Sequence, residues 1–191
     1  MWPFTKNKTL PGFSHDEASV GFEAFQKGED FLSKKQMQEA LECFDEAINC
    51  GYVANADVYS GRGICLQSLN YDLDAIDDFN KAIALQPENS LTFYMRSLSK
   101  TATSDLHGCI SDLQEAIRLL DVDNEYTRNV DAHARETGYK DAAYYYRKQM
   151  DFYRVRLDSE ANRRAFADRM GEYYEKRANK RRRGSVNNAE E

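Results

Sequence analysis

The chain has 191 residues, of which 41% are hydrophobic and 30% charged, with a net charge of −6. That is enough apolar material for a core and too much charge for a membrane protein, and no apolar run approaches a bilayer span. The charge is unevenly divided. Ala161 to Arg183 carries nine basic residues against three acidic, which leaves −10 on residues 1–160, so an acidic body is expected to end in a basic tail.

Met1 to His15 holds Trp2, Phe4, Leu10 and Phe13 at no helical period, interrupted by Pro3, Pro11 and Gly12. Such a segment is either mobile or docked as a cap on the helical body. It lacks the basic region and apolar run of a secretory signal, which places the protein inside the cell, in the cytoplasm or, in a eukaryote, the nucleus. Cys43, Cys50, Cys65 and Cys109 form no CxxC pair and read as small buried hydrophobes rather than as disulfide or metal sites. His15, His107 and His133 have no partner at metal-ligand spacing, and no glycine loop or GxSxG stands ready for phosphate or acyl chemistry. Neither a cofactor nor a metal is expected.

From Gly21 a pattern sets in. Ala24, Lys27, Gly28 and Phe31 precede Ala40, Phe44 and Ala47; Tyr59, Arg62, Gly63 and Leu66 precede Ala75, Phe79 and Ala82, with Pro87 behind them. Ala40 to Ala75 and Ala47 to Ala82 are each 35 residues apart, and Ala82 to Ala116 is 34, which puts the extra residue in the loop Gly51 to Asn55. A mid-helix glycine costs about 1 kcal/mol against alanine, so its recurrence implies a helix crossing too close for a side chain. Ala75, Phe79 and Ala82 share one helical face, where the aromatic fills the room that the small residues leave. Pro87 stops that helix, and Asn89 or Ser90 caps the next. The third copy has Phe93, Arg96 and Ser97, then Cys109, Leu113 and Ala116, with Ser104 or Asp105 as a cap. Ser97 stands where glycine did and Lys100 where the large apolar residue did, so this copy is expected to be looser.

This arrangement resembles the tetratricopeptide repeat, a helix-turn-helix unit of about 34 residues. The resemblance implies an all-α fold, a right-handed superhelix of antiparallel helix pairs, that holds other polypeptides and performs no chemistry. Three repeats span 16–121 after the segment 1–15. In 122–158 the pattern decays into a degenerate fourth pair, with one helix over Asn124 to Thr137, Gly138 at its end, and a second over Tyr139 to Leu157 that carries Ala142, Ala143, Tyr146, Met150 and Tyr153 on one side. Asp158 or Ser159 starts a C-terminal helix, 159–180, whose stripe of Ala161, Ala165, Phe166, Met170, Tyr173 and Tyr174 needs a surface such as the open edge of the array. Residues 181–191 hold almost no apolar side chains and are expected to be disordered.

The resemblance also implies that first helices line the concave side. Its inward positions fall on Phe22, Phe25, Gln26, Glu29 and Leu32, on Asp57, Ser60, Gly61, Ile64 and Gln67, and on Leu91, Tyr94, Met95, Leu98 and Thr101. Family members that clamp a chaperone's C-terminal carboxylate place lysine, asparagine and arginine where this chain has Phe25, Glu29, Gly61, Leu91 and Met95, so that ligand is not expected. What remains is an apolar groove bordered by carboxylates. Phe22, Phe25, Glu29, Ile64, Leu91, Tyr94, Met95 and Leu98 are the expected contacts of a helical or extended peptide, unless the chain's own N-terminal segment or C-terminal helix covers them. Phe25, Ile64, Tyr94 and Met95 are the expected anchors. An alternative is a nucleic-acid adaptor acting through Lys176, Arg177, Lys180, Arg181, Arg182 and Arg183; another is a secretion-type chaperone of similar size and charge. Asp77 and Asp78 read as solvated surface charge, and Tyr144-Tyr145-Tyr146 as burial on more than one side of a helix.

Overall fold

The computed structural model describes residues 15–121 and 125–187, apart from the side chains of 15–18, 125, 126, 129, 173, 174 and 176–187. Trp2, Phe4, Leu10 and Phe13 therefore lie outside the described residues. Among those described there are eight helices: α1 (His15–Ser33), α2 (Met37–Asn49), α3 (Ala56–Ser68), α4 (Asp72–Leu85), α5 (Ser90–Ala102), α6 (Leu106–Leu119), α7 (Glu125–Glu136) and α8 (Ala142–Asn187). The chain divides into two compact units, Met1–Met150 and Asp151–Glu191, with the division inside α8.

In the first unit α1 packs on α2, α3 on α4 and α5 on α6, and each pair stacks on the next through α2 with α3 and α4 with α5. The odd-numbered helices also touch in series, α1 with α3, α3 with α5 and α5 with α7, so they form the inner wall of the stack.

Three turns within pairs close in the same way. Lys35, Asn70 and Ser104 have positive φ values of 59°, 66° and 67°. Behind each, an N–H reaches back over the helix end: Gln36 to the Phe31 carbonyl at 3.0 Å, Tyr71 to Leu66 at 2.8 Å and Asp105 to Lys100 at 2.8 Å. These bonds satisfy carbonyls that the helix end leaves open, which offsets the strain of a left-handed residue that is not glycine. The expected caps are in place, since Asn89 accepts from the N–H of Leu91 and of Thr92 and Asp105 accepts from that of Gly108. Gly138, at φ 89°, ends α7 as expected.

Small residues face aromatic ones throughout the core. Ala40, Phe44, Ala47, Ala75, Phe79 and Ala82 are buried. A Cβ on Gly63 would lie 2.8 Å from the Phe79 ring, and one on Gly28 2.9 Å from the Phe44 ring. The third pair is not looser. Ser97, Cys109, Leu113 and Ala116 are all fully buried, because the side chain gained at Ser97 is matched by a smaller residue, Leu113, at the position of Phe79.

α7 is followed by the first turns of α8. Asp131 on α7 accepts the Ala142 N–H at 2.8 Å, and Asp141 caps α8 through the Tyr144 N–H at 2.7 Å. Ala142, Tyr146 and Met150 are buried along one side, as the spacing requires. No new helix begins at Asp158 or Ser159. α8 runs through both and on to Asn187, past the start of the expected disordered tail, since 142–187 contains no proline and many strong helix formers.

Candidate functional site

Two ionic rungs hold the stack from the side away from the inner wall. Arg62 on α3 donates to both carboxylate oxygens of Asp78 on α4, at 2.6 and 2.8 Å, and to Asp45 on α2 at 2.7 Å. Thirty-four residues on, Arg96 repeats the arrangement with Asp112 on α6, at 2.9 and 2.6 Å, and with Asn80 on α4 at 2.6 Å. Each arginine thus ties its own pair together and ties that pair to the one before it. The planar guanidinium suits this, because its fork meets one carboxylate with two bonds and leaves a donor for a second partner.

Asp78 is 1% exposed, so the expectation of a solvated Asp77-Asp78 fails at Asp78: burial is tolerated there because both oxygens are paired. Lys100, in the place of Leu66, is not a packing fault either. Its ammonium lies 2.9 Å from Asp112.

The inner wall is different in character. Ser60 and Thr92 hydroxyls approach to 3.4 Å, and Gln67 donates to the Met95 carbonyl at 2.9 Å and the Ser99 hydroxyl at 2.7 Å. These links set α3 against α5. The turn of α3 between them carries Ile64, and the facing side of α5 carries Leu91, Met95 and Leu98 at positions i, i+4 and i+7. All four are half-buried. Towards α1 the wall turns acidic. Glu29 is exposed, and its carboxyl is held above its usual range by partial desolvation and by the facing charge of Asp57. Burial raises that of Asp57 as well.

Three expected contacts are engaged within the chain. Phe25 lies 6.1 Å from the Phe44 ring and 5.4 Å from that of Tyr52, so it belongs to the seam between α1, α2 and the following loop. Phe22 is half-buried with its ring 5.9 Å from Tyr52. Tyr94 is stacked on Tyr146 at 4.5 Å and shares a 2.9 Å hydrogen bond with the Tyr145 hydroxyl, so its exposed role is taken by the start of α8. Gly61 does not face the groove, because a Cβ there would run into the Phe44 ring. Lys176, Arg177, Lys180, Arg181, Arg182 and Arg183 lie on α8, and their side chains lie outside the described residues.

Among the described residues no group of His, Cys, Asp and Glu is placed to hold a metal ion, and no helix is long and apolar enough to cross a membrane. Burial pushes the Cys65 thiol up to about 12 and that of Cys109 upward, so both are inert thiols.

Stacked antiparallel pairs with small residues recurring at 34 or 35 positions define an α-helical solenoid, and the chain folds as a tetratricopeptide-repeat array. No family model matches it. It is 28% identical over 94 residues, 49% of this chain, to the heat shock protein STI1 of Saccharomyces cerevisiae. It is 24% identical over 108 residues, 55% of this chain, to a DnaJ homolog subfamily C member 7 homolog of Dictyostelium discoideum. These matches span 16% and 20% of the two relatives.

Solved structures share the fold. PcrH in complex with the chaperone binding region of PopD superposes with a TM-score of 0.60 at 17% identity, over 78% of this chain and 98% of that one. The Sgt2 tetratricopeptide domain from Aspergillus fumigatus gives 0.55 at 16%, over 79% and 84%. The first such domain of Spaghetti (RPAP3), bound to the HSP90 peptide SRMEEVD, gives 0.51 at 18%, over 63% and 94%.

Proposed function

We propose that the chain is a non-enzymatic scaffold that holds a peptide or helix of another protein on the face formed by α3 and α5, with apolar anchors on Ile64, Leu91, Met95 and Leu98 and a cation of the ligand against Glu29 and Asp57. One observation carries this reading: the face combines half-buried apolar side chains with two carboxylates held above their usual range. Carboxylates in that state gain most from a cation that replaces the water they have lost. The fold supports the class, since PcrH and the Spaghetti domain are both bound to peptide segments of other proteins.

The ligand chemistry departs from that of SRMEEVD, which is acidic. An acidic tail needs cations to pair with, and the inward positions of α1, α3 and α5 contain none, whereas Arg62, Arg96 and Lys100 are committed to Asp78 and Asp112. Screening of a random peptide library on the full chain tests the proposal. Enriched sequences are expected to pair apolar residues at helical spacing with lysine or arginine. Binding of an enriched peptide is lost in Ile64→Asp/Met95→Asp while the helical circular dichroism holds; enrichment of acidic C-terminal tails would reverse the assignment.

A further inference from the structure

The second unit, 151–191, contains the outer part of α8, where three large apolar side chains lie open to solvent. Phe152, Val155 and Phe166 are 62%, 66% and 61% exposed. Phe166 belongs to the stripe of the expected C-terminal helix. The spacing is that of a two-stranded seam, with Phe152, Ser159 and Phe166 at one core position of a seven-residue repeat and Val155, Asn162 and Arg169 at the other.

The flanks of this seam are sorted by charge. Asp151 and Asp158 precede the core on one side, and Arg156 and Arg163 follow it on the other. Between two parallel helices in register, each of the preceding flank positions faces the following flank position five residues on in the other strand. Asp151 then meets Arg156 of a second copy, and Asp158 meets Arg163, on both sides of the seam. An antiparallel pair sets aspartate against aspartate and arginine against arginine. In the third heptad both flanks are uncharged, Ala165 and Met170, and the second core position beside Phe166 is Arg169, which donates to the Ala165 carbonyl at 3.1 Å.

Within the single helix these charges have only loose partners: Arg156 lies 3.4 Å from Glu160, and Asp151 lies 3.8 Å from Arg154. Both are exchanged at little cost. Ser159, whose hydroxyl donates to the Val155 carbonyl at 2.8 Å, and Asn162 are the polar core positions of the middle heptad, and polar residues there set register at a cost in stability.

We infer that the outer part of α8 pairs in parallel with the same helix of a second copy of this chain, through Phe152, Val155 and Phe166 and the Asp151–Arg156 and Asp158–Arg163 flanks. Sedimentation of the full chain over a wide concentration range is expected to move the mass from 22.0 kDa towards twice that value. Phe152→Glu/Phe166→Glu holds it at a single chain with unchanged helical circular dichroism. Asp151→Arg/Asp158→Arg and Arg156→Asp/Arg163→Asp each remain single alone and form a mixed dimer when combined. Donor and acceptor dyes on the C termini of separate copies transfer energy efficiently in the parallel pair, whereas the antiparallel alternative, centred on the same seam, sets the ends of α8 about 80 Å apart. A single chain at every concentration, a dimer indifferent to all of these substitutions, or weak transfer within the dimer would each overturn the inference.

Discussion

Asp78→Asn keeps the shape of the side chain and removes its charge, and the geometry fixes what is lost. Arg62, whose side chain is 20% exposed, keeps only Asp45, which is 49% exposed and therefore well screened. Breaking a buried pair from one side costs about 3–5 kcal/mol, because the remaining charge stays desolvated. The exposure of Arg62 and its surviving bond to Asp45 place this case near about 3 kcal/mol, which for a chain of this size lowers the midpoint of thermal unfolding by roughly 6–12 °C. Arg62→Met/Asp78→Leu removes both charges and leaves apolar groups of similar volume, so it is expected to recover most of the loss. Urea unfolding followed by circular dichroism on the wild type, Arg62→Met, Asp78→Leu and the pair yields the coupling, with Asp78→Asn measured beside them. An Asp78→Asn protein as stable as the wild type would show that the rung contributes nothing to the stacking of the helix pairs.

Asp112 neutralises two half-buried cations, Arg96 and Lys100, so Asp112→Asn is expected to cost more than Asp78→Asn in the same urea series. Gly63→Ser drives an oxygen-bearing side chain into the Phe79 ring and costs about 1–3 kcal/mol, whereas adding Phe79→Leu recreates the Ser97–Leu113 pairing and regains part of it, which thermal melts will resolve. Tyr94→Ala removes the ring stacked between α5 and α8 and is expected to cost about 3–5 kcal/mol, with amide exchange accelerating first in α7 and the start of α8; Tyr94→Phe loses only the bond to Tyr145, about 1 kcal/mol. The folded-state pKa of Glu29 and of Asp57 is raised, so protonation favours the folded chain and their burial costs stability as pH rises through the shifted values. Glu29→Gln should therefore stabilise the free protein near neutral pH and not below the ordinary value of 4.5, as paired melts at the two pH values will show.

The periodic part of the fold is legible in the sequence because its cause is steric and local to one interval. Ala40, Phe44, Ala75 and Phe79 repeat because one aromatic must fit against one missing side chain, and that demand leaves a trace at every copy. The left-handed ends at Lys35 and Ser104 leave none, since the backbone bonds that stabilise them ask nothing of the side chain, and only Asn70 among the three is a residue type that favours this conformation. Asp78 escapes such a reading because a carboxylate on a helix next to another carboxylate looks solvated unless its partner, sixteen residues earlier, is sought. The signal is present: Arg62 and Arg96, and Asp78 and Asp112, recur at the same interval of 34. Asp158 and Ser159 are good capping residues, yet capping residues are tolerated inside a helix that nothing else stops. Tyr94 falls on an inward position in sequence, and only the fold brings Tyr145 and Tyr146, some fifty residues later, onto it.

The ionic rungs and the acidic wall follow from one distribution of charge. α3 and α5 place Arg62, Arg96 and Lys100 towards the even-numbered helices, where buried carboxylates fix them. The opposite side of the same helices is then left with Asp57, whose carboxyl burial raises, and with Glu29 across from it on α1, which partial desolvation and the charge of Asp57 raise together. On the proposed reading a cationic ligand supplies what the fold has used elsewhere, and its binding should weaken as pH falls, starting above the ordinary value of 4.5 because the Glu29 carboxyl is raised. Fluorescence anisotropy of a lysine-bearing peptide from the library, measured from pH 7 downward, reads this directly. Glu29→Gln/Asp57→Asn should bind it more weakly at neutral pH and with a flat profile. A profile in the wild type as flat as in the variant would detach the carboxylates from ligand binding, and the apolar face would then act alone.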